Sequence, residues 1–233
     1  MSKLLNHRLA RIVLASLLGA LGVLGFAPFY WYPATIVALA GLFYLWHRAN
    51  GPREAAWLGF VFGLGYFIVG IYWIYISLHT FGGMPPLGAA FATFCLCAFV
   101  SLFPAAVGLL GKRSGVLLIS APLLWALAEW VRSWIFTGFP WLTVGYSQVP
   151  SGPLAGFAPV IGIYGVSLVL ALFAALLTAM VADWGNKTLR RSLILSLILL
   201  WVSGSLLKMV AWSEPQGEPV SVALLQGNIT QDL

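Results

Sequence analysis

The chain has 233 residues, of which 61% are hydrophobic and only 8% are charged, and its mean hydropathy is +0.96. Because soluble domains carry about 25% charged residues, this composition excludes an ordinary soluble domain and indicates a polytopic membrane protein. The net charge of +6 comes from short basic clusters between apolar stretches. It does not come from the continuous basic face that would indicate a nucleic-acid partner.

Seven apolar stretches follow one another along the chain. Each is long enough, alone or with interfacial aromatic residues at its ends, to cross about 30 Å of hydrocarbon as a helix. The sequence therefore predicts an all-α membrane bundle of about seven transmembrane helices within residues 1–212. The stretches are 9–27, 31–47, 55–77, 87–110, 115–136, 160–182 and 192–212.

The basic residues predict the topology of this bundle. Ten of the twelve Lys and Arg residues fall on one side of a seven-helix arrangement, and the other two, Arg132 and Lys208, fall on the opposite side. The ten are Lys3, Arg8, Arg11, Arg48, Arg53, Lys112, Arg113, Lys187, Arg190 and Arg191. Because cytoplasmic segments of membrane proteins are enriched in Lys and Arg, we expect a cytoplasmic N-terminus and residue 233 on the opposite side of the membrane.

Several distinctive residues within or between the stretches predict packing and not chemistry. Gly59 and Gly63 form a G-x-x-x-G pattern, which lets a neighbouring helix approach closely, and we favour packing within the chain over dimerisation. Cys95 and Cys97 are the only cysteines, and we interpret both as small buried apolar residues on different helix faces. His79 has no acid near it in sequence and is interpreted as an interfacial residue. The sequence predicts no metal site and no cofactor.

The segment EWVRSWIFTGFPW, residues 129–141, places two charges close together in a chain that has few. Trp125, Glu129 and Arg132 occupy one helical face near the outer end of the fifth stretch. Charges that leave water are tolerated as a pair turned toward the protein interior, so we expect an ion pair. Two interpretations stay open: the pair fixes the end of the helix, or it forms a polar floor for a substrate headgroup.

The segment that follows, residues 137–159, contains four prolines, four glycines and no charged residue. Proline disrupts a helix by removing a hydrogen-bond donor and clashing with the preceding turn, so this segment cannot be one regular helix. Uncharged, aromatic-rich surface usually marks an interaction site or a membrane contact. The segment is either a loop packed under an outer domain or a gate through which lipid enters.

The C-terminal part of the sequence changes character. A polar linker, residues 213–219, precedes an alternating apolar stretch from Val220 to Leu225 that predicts a β-strand, and glycine and asparagine then indicate a turn. One strand alone is not stable. We therefore expect residues 220–233 to begin a soluble domain, so that the sequence is a fragment of a longer protein.

Four stretches resemble the apolipoprotein N-acyltransferases, bacterial inner-membrane enzymes that complete lipoprotein maturation. The stretch at residues 129–148 is the most specific of the four. The resemblance implies seven helices with a cytoplasmic N-terminus and then a periplasmic nitrilase-like (carbon–nitrogen hydrolase) α/β domain, which would begin here near Val220 and be truncated. The stretches are GFAPFYWYP (25–33), GYFIVGIYWIYISLHTFGGMP (65–85), EWVRSWIFTGFPWLTVGYSQ (129–148) and VALLQGNITQDL (222–233).

The resemblance also implies a reaction. A cysteine thiolate takes an acyl chain from a phospholipid, which leaves a thioester and a lysophospholipid. The α-amine of a diacylglyceryl cysteine on an apolipoprotein then takes the acyl group. A glutamate is the general base, and a lysine stabilises the oxyanion. We expect none of this Glu-Lys-Cys triad within these residues, because the nitrilase-like domain begins only near Val220, so this chain alone would be inactive.

By the same resemblance, Arg132, Gly138 and Trp141 match functionally sensitive positions of the family. Arg132 is expected to orient a lipid phosphate or to brace the outer domain, with Glu129 holding it. Gly138 would allow a tight exit from the fifth helix, and Trp141 would lie against acyl chains or the catalytic domain.

The expected partners are a phospholipid donor, a diacylglyceryl apolipoprotein acceptor and the bilayer. The alternative is a non-enzymatic membrane scaffold or lipid-binding protein. A transporter is disfavoured because no acidic residue lies at mid-depth in the stretches.

Overall fold

The computed structural model describes residues 7–227, which form helices and loops without a β-strand. Every predicted apolar stretch coincides with a helix, if α3 and α4 are taken together. The helices are α1 (Arg8–Gly22), α2 (Tyr32–Arg48), α3 (Pro52–Gly70), α4 (Trp73–Ile76), α5 (Pro86–Arg113), α6 (Leu117–Arg132), α7 (Ala158–Ala182) and α8 (Lys187–Leu207). A π-helical turn, Ser77–Phe81, continues α4, and short 3₁₀ turns occupy Val23–Gly25, Ile135–Thr137, Val144–Gln148 and Pro153–Phe157.

Helix length and hydropathy fit a membrane helical bundle, but the seven predicted spans are not confirmed. Among the described residues, a fifth candidate span exists only if α3 and the helix Trp73–Phe81, bent by 52° at their junction, are one broken span. Helices α2 and α6 have 17 and 16 residues, which is short for a hydrocarbon core of about 30 Å at about 1.5 Å per residue. The four unbroken candidates are Arg8–Gly25, Pro86–Arg113, Pro153–Ala182 and Lys187–Leu207.

The β-strand predicted from Val220 to Leu225 is not formed. These residues are exposed and have no regular secondary structure. A strand is stable only when its backbone groups pair with a neighbour, and residues 7–227 offer no strand to pair with. Residues 228–233, where the predicted turn continues, lie outside the described residues. Lys3, one of the ten basic residues of the topology prediction, also lies outside them.

Helix α3 packs closely against α1 and α5 because glycines on it leave room for their backbones. A Cβ atom at Gly59 would overlap the carbonyl oxygen of Pro104 on α5, and one at Gly63 would lie 2.8 Å from the side chain of Ser101. Gly65, on another face, meets the backbone of α1 in the same way. The interpretation of Gly59 and Gly63 as an intramolecular packing motif is confirmed.

The bundle has two chemically different ends. At the first, called the basic end, α1, α3, α6 and α8 begin and α2, α5 and α7 end. Arg11 and Glu54 form a salt bridge there at 2.8 Å, and Nζ of Lys112 donates to the carbonyl oxygen of His47 at 2.9 Å. The opposite end, called the loop end, is built from the long connections at residues 23–31, 71–85 and 133–157. The candidate residues of the fifth stretch lie at the loop end.

Candidate functional site at the loop end

Helix α6 carries both of its charged residues into the protein interior at its C-terminal end. Glu129 is 5% exposed and Arg132 is 3% exposed. Nε1 of Trp125 donates to Oε1 of Glu129 at 3.1 Å, which confirms that these residues share one helical face. A buried ionised group is costly unless it is paired or hydrogen-bonded, so the partners of these two side chains define the site.

The predicted direct ion pair between Glu129 and Arg132 is wrong. Among residues 7–227, the only salt bridge with an N···O distance of 4.0 Å or less joins Arg11 and Glu54. Glu129 and Arg132 form no salt bridge with each other. Each of them binds backbone groups of the following loop instead. The loop supplies both acceptors and donors in the interior, and hydrogen bonds to ionised groups are about twice as strong as neutral ones.

Arg132 holds the first part of the loop. Its Nη1 donates to the carbonyl oxygens of Phe139 and, at 2.7 Å, of Trp141. Its own carbonyl oxygen accepts from the backbone N–H of Phe139 at 2.8 Å. The guanidinium carbon lies 5.4 Å from the centre of the Phe67 ring, a cation–π distance. Side chain and backbone of Arg132 therefore fix residues 139–141 together.

Glu129 and a serine on α7 hold the next part of the loop. The backbone N–H of Val144 donates to Oε1 of Glu129 at 2.9 Å, and the N–H of Gly145 donates to Oγ of Ser167 at 3.0 Å. The second carboxylate oxygen of Glu129 is buried without a hydrogen-bond partner among the described residues. The acid on α6 therefore acts as an acceptor for the loop backbone.

Tyr66 completes this set of contacts from α3. Its hydroxyl donates to the carbonyl oxygen of Leu142 at 2.9 Å. Four side chains from three helices thus bind five backbone groups of residues 139–145, and we call them the loop clamp. The loop clamp consists of Tyr66, Glu129, Arg132 and Ser167.

Replacing Tyr66 by Phe is expected to lower the free energy of unfolding by roughly 1–3 kcal/mol, because the Leu142 carbonyl loses its donor in the interior. Unfolding of the purified protein in detergent would measure the change. Tyr72→Phe is the matched control, because Tyr72 is exposed at the same end. Equal losses in the two variants would contradict a role for the Tyr66 hydroxyl in holding the loop.

The loop leaves α6 through an unusual backbone conformation. Phe136, Thr137 and Leu142 have positive φ values of 50°, 76° and 57°, and Gly138 has a φ of 83°. Non-glycine residues pay for such angles in strain and keep them only where the surrounding structure enforces them. At Gly138 a Cβ atom would also overlap the carbonyl oxygen of Ser133. The chain therefore turns tightly out of α6 at a position where glycine is required.

On its outer side, the clamped loop forms an apolar groove of about 660 Å³. The volume lies within the range of about 300–1,000 Å³ that is typical of ligand pockets. Trp141 is 49% exposed there, and its ring centre lies 5.4 Å from that of Trp73 and 5.7 Å from that of Phe139. No charged residue lines the groove among those described. Its aromatic wall comes from three connections, with Phe26, Tyr30, Trp73, Trp141 and Tyr146.

The remaining predicted residues lie elsewhere. Nδ1 of His79 is 2.8 Å from the carbonyl oxygen of Met84, within its own turn. On α5, Cys97 is buried as predicted, whereas the prediction of burial is wrong for Cys95, which is exposed because it points to a different face of the helix, as expected from the spacing. Among residues 7–227, no three His, Cys, Asp or Glu side chains lie close enough to hold a metal ion.

Sequence reasoning missed two members of the loop clamp, Tyr66 and Ser167. Tyr66 lies in a long apolar stretch, where tyrosine is common and gives no specific signal. Ser167 is a lone hydroxyl in the apolar stretch 160–182, and its polarity was the available signal.

Comparisons with known proteins agree with the resemblance. The sequence profile described as the apolipoprotein N-acyltransferase N-terminal domain matches residues 18–176. The chain is 49% identical over 228 residues to a protein of Nitrosomonas europaea named apolipoprotein N-acyltransferase, with 96% of this chain and 45% of that protein covered. A protein of the same name from Ralstonia nicotianae is 40% identical over 230 residues, with 94% and 43% covered. A protein of the same name from Photobacterium profundum is 38% identical over 240 residues, with 100% of this chain and 45% of that protein covered.

The chain thus spans slightly less than half the length of these curated relatives. The profile, by contrast, matches more than half of the chain and includes the whole loop clamp and the groove. This chain therefore belongs to the apolipoprotein N-acyltransferase family and contains its N-terminal domain.

Proposed function

We propose that this chain is the membrane domain of a phospholipid:apolipoprotein N-acyltransferase of the bacterial inner membrane. The whole protein would transfer an acyl chain from a phospholipid to the α-amino group of the N-terminal diacylglyceryl cysteine of a lipoprotein. Membership of the family supports the enzyme class. The apolar groove beside the clamped loop is the observation that supports a lipid-facing role for this part of it.

In this proposal the bond-making chemistry belongs to a Glu-Lys-Cys triad in a nitrilase-like domain that begins near Val220. The phospholipid ester bond breaks as the cysteine sulfur forms a thioester, and the lysophospholipid leaves with a proton. The thioester then breaks as the lipoprotein nitrogen forms an amide and releases its proton. The residues of the present chain bind and position the lipid for the first of these steps.

The loop clamp gives a physical reason why the loop can face lipid. A backbone N–H or C=O that points into an apolar environment without a partner is costly. The loop clamp binds five such groups on the inner side of residues 139–145, so these groups do not have to face an acyl chain. The outer side presents aromatic rings, and each CH₂ group buried against them contributes about 0.8 kcal/mol.

We also propose that the basic end faces the cytoplasm and the loop end faces the periplasm, in line with the enrichment of Lys and Arg on cytoplasmic segments. Lys208, directly after α8, supports one common outer side for the groove and the C-terminal segment. Its Nζ donates to the carbonyl oxygen of Pro150 at 2.7 Å, which ties the end of α8 to the loop end. A catalytic domain that follows residue 220 would then stand next to the groove.

Trp141→Ala is the variant that tests this function. The side chain of Trp141 lines the groove, whereas its carbonyl oxygen, which Arg132 binds, survives the substitution. We expect the protein to fold and its acyl-transfer rate at limiting phospholipid to fall roughly tenfold, because a half-buried aromatic contact is worth on the order of 1–2 kcal/mol. The assay follows the mass gain of a diacylglyceryl peptide incubated with phospholipid vesicles and the whole protein, including the proposed nitrilase-like domain.

Trp134→Ala is the matched control, since Trp134 is similarly exposed, packs against Trp130 at 5.5 Å and does not line the groove. We expect near-normal transfer from this variant. If the wild-type protein transferred no acyl group, the enzyme proposal would fail, and the scaffold or lipid-binding alternative would replace it. Normal transfer by Trp141→Ala would overturn the lipid-platform role alone.

A further inference from the structure

A second pocket lies at the basic end, far along the bundle from the groove. It has a volume of about 420 Å³ and opens between the first turns of α1 and α3. Polar and apolar side chains share its lining, with Trp57 and Leu58 on the apolar side. Its polar lining consists of Arg8, Arg11, Asn50, Arg53 and Glu54.

The charges of this pocket do not cancel. Within the described lining, Glu54 is the only acid beside three arginines, and both of its carboxylate oxygens are occupied. Oε1 binds Nη1 of Arg11 at 2.8 Å, and Oε2 accepts from the backbone N–H and the side-chain amide of Asn50 at 2.7 and 2.8 Å. The guanidinium groups of Arg8 and Arg53 therefore lack a second carboxylate in the described lining, which leaves an excess of two positive charges.

Two further features of the pocket favour an anion. Helices α1 and α3, of 15 and 19 residues, both begin there, and the N-terminus of a helix carries a partial positive charge. Nε of Arg11 is buried and has no hydrogen-bond partner within residues 7–227. An anion with several oxygen atoms would supply the missing acceptor and neutralise the excess charge. A phosphate group has this chemistry.

The surroundings of the pocket indicate that the phosphate belongs to a lipid. Helix α1, with the turn that follows it, is apolar enough to cross a membrane, so its first turn lies where the chain enters the bilayer. Leu9 and Trp57 expose apolar surface beside the arginines, at 72% and 46%. Such surface fits the glycerol and upper acyl carbons of a phospholipid, whereas a small soluble phosphate would leave it uncovered. Basic pockets between membrane helices are known to bind anionic headgroups.

We propose that the pocket formed by Arg8, Arg11 and Arg53 is a binding site for the phosphate group of an anionic phospholipid. The site does not depend on the proposed acyl transfer, because it lies at the other end of the bundle from the groove. Arg11 holds Glu54 and shapes the pocket, while Arg8 and Arg53 supply the charge that selects an anionic headgroup over a zwitterionic one.

The test compares the intact protein with Arg8→Gln/Arg53→Gln and with Lys187→Gln/Arg191→Gln. The control pair removes the same charge from the same end of the bundle but lies at the start of α8. Binding of phosphatidylglycerol, phosphatidylethanolamine and inorganic phosphate is measured on the detergent-solubilised protein by native mass spectrometry. The rise in unfolding temperature that each compound causes gives a second readout of binding to the folded state.

We expect the wild-type protein and the control pair to prefer phosphatidylglycerol over phosphatidylethanolamine. Arg8→Gln/Arg53→Gln should bind phosphatidylglycerol about 30-fold more weakly and lose the preference, with its unfolding temperature in lipid-free detergent unchanged. Equal losses in both pairs would overturn the proposal in favour of general surface charge. Inorganic phosphate binding as well as phosphatidylglycerol, with the same dependence on Arg8 and Arg53, would overturn the assignment to a lipid.

Discussion

Arg132→Ala is expected to lower the free energy of unfolding by roughly 3–5 kcal/mol, the usual cost of removing one member of a buried charged set. Two carbonyl groups, those of Phe139 and Trp141, would lose their donor, and the carboxylate of Glu129 would stay buried without a positive charge beside it. Unfolding of the purified protein in detergent measures the effect. The acyl-transfer assay should show a loss at least as large as that of Trp141→Ala, because the whole loop is released.

Arg191→Ala is the control for this prediction, because Arg191 is exposed at the basic end and its loss should change stability by no more than about 0.5 kcal/mol. A loss for Arg132→Ala that is no greater than this would contradict the bracing role.

A second variant, Glu129→Gln, distinguishes the contribution of the Glu129 charge to stability from that of the Arg132 charge. Glutamine keeps an oxygen for Trp125 and Val144 but removes the negative charge. Because Glu129→Gln also removes the buried charge that Arg132→Ala leaves uncompensated, we expect the double variant Arg132→Ala/Glu129→Gln to be no less stable than Arg132→Ala alone. A double variant clearly less stable than Arg132→Ala would show instead that the two residues hold the loop independently.

The burial of Arg132 bears on its two predicted roles. A guanidinium that is 3% exposed and donates to two loop carbonyls is poorly available to a lipid phosphate at the surface. We therefore disfavour phosphate binding for Arg132 and infer that it braces the loop, whereas bracing of an outer domain stays a prediction. Of the two interpretations left open for the charged residues of α6, fixing the structure at the helix end fits these contacts better than a polar floor for a headgroup.

The positions of the helices were predictable because an apolar stretch long enough for a membrane has few alternatives to a helix. Their ends were less predictable. The stretch 55–77 is broken after Gly70, where the side chain of Leu142 packs so closely that a Cβ atom would overlap it. The fifth stretch was predicted to run to residue 136, but α6 ends at Arg132, and the chain then leaves the helical region at Trp134 and turns through positive φ at Phe136 and Thr137. Such breaks come from tertiary contacts that hydropathy does not contain.

The shared face of Trp125, Glu129 and Arg132 followed from helical periodicity alone. The hydrogen-bond partners of Glu129 and Arg132 could not be predicted in this way, because they belong to a loop and helical periodicity does not predict the path of a loop. Glu129 meets a backbone N–H 15 residues later, and Tyr66 meets a carbonyl 76 residues later. The expected ion pair rested on sequence proximity, and it was wrong because loop carbonyls and amides compete for the same two side chains.

Gly138→Ala tests whether the close approach of the chain to Ser133 at the exit from α6 contributes to stability in addition to the positive φ of Gly138. A φ of 83° with a ψ of 144° costs a non-glycine residue about 1–3 kcal/mol, and the added Cβ would also overlap the Ser133 carbonyl oxygen. Two other glycines separate these effects. Gly162 has a φ of 65° with open space around it, and Gly51 is extended with open space.

We expect the loss of unfolding free energy to be near zero for Gly51→Ala, about 1–3 kcal/mol for Gly162→Ala and larger for Gly138→Ala, because only the last combines the angle with an overlap. Unfolding in detergent gives this order directly. If Gly138→Ala and Gly162→Ala lost equal stability, the backbone angle would explain everything, and the close approach to Ser133 would have no energetic role. If Gly138→Ala alone also lost acyl transfer, the exit from α6 would be what sets Phe139 and Trp141 on Arg132, and so what orients the groove.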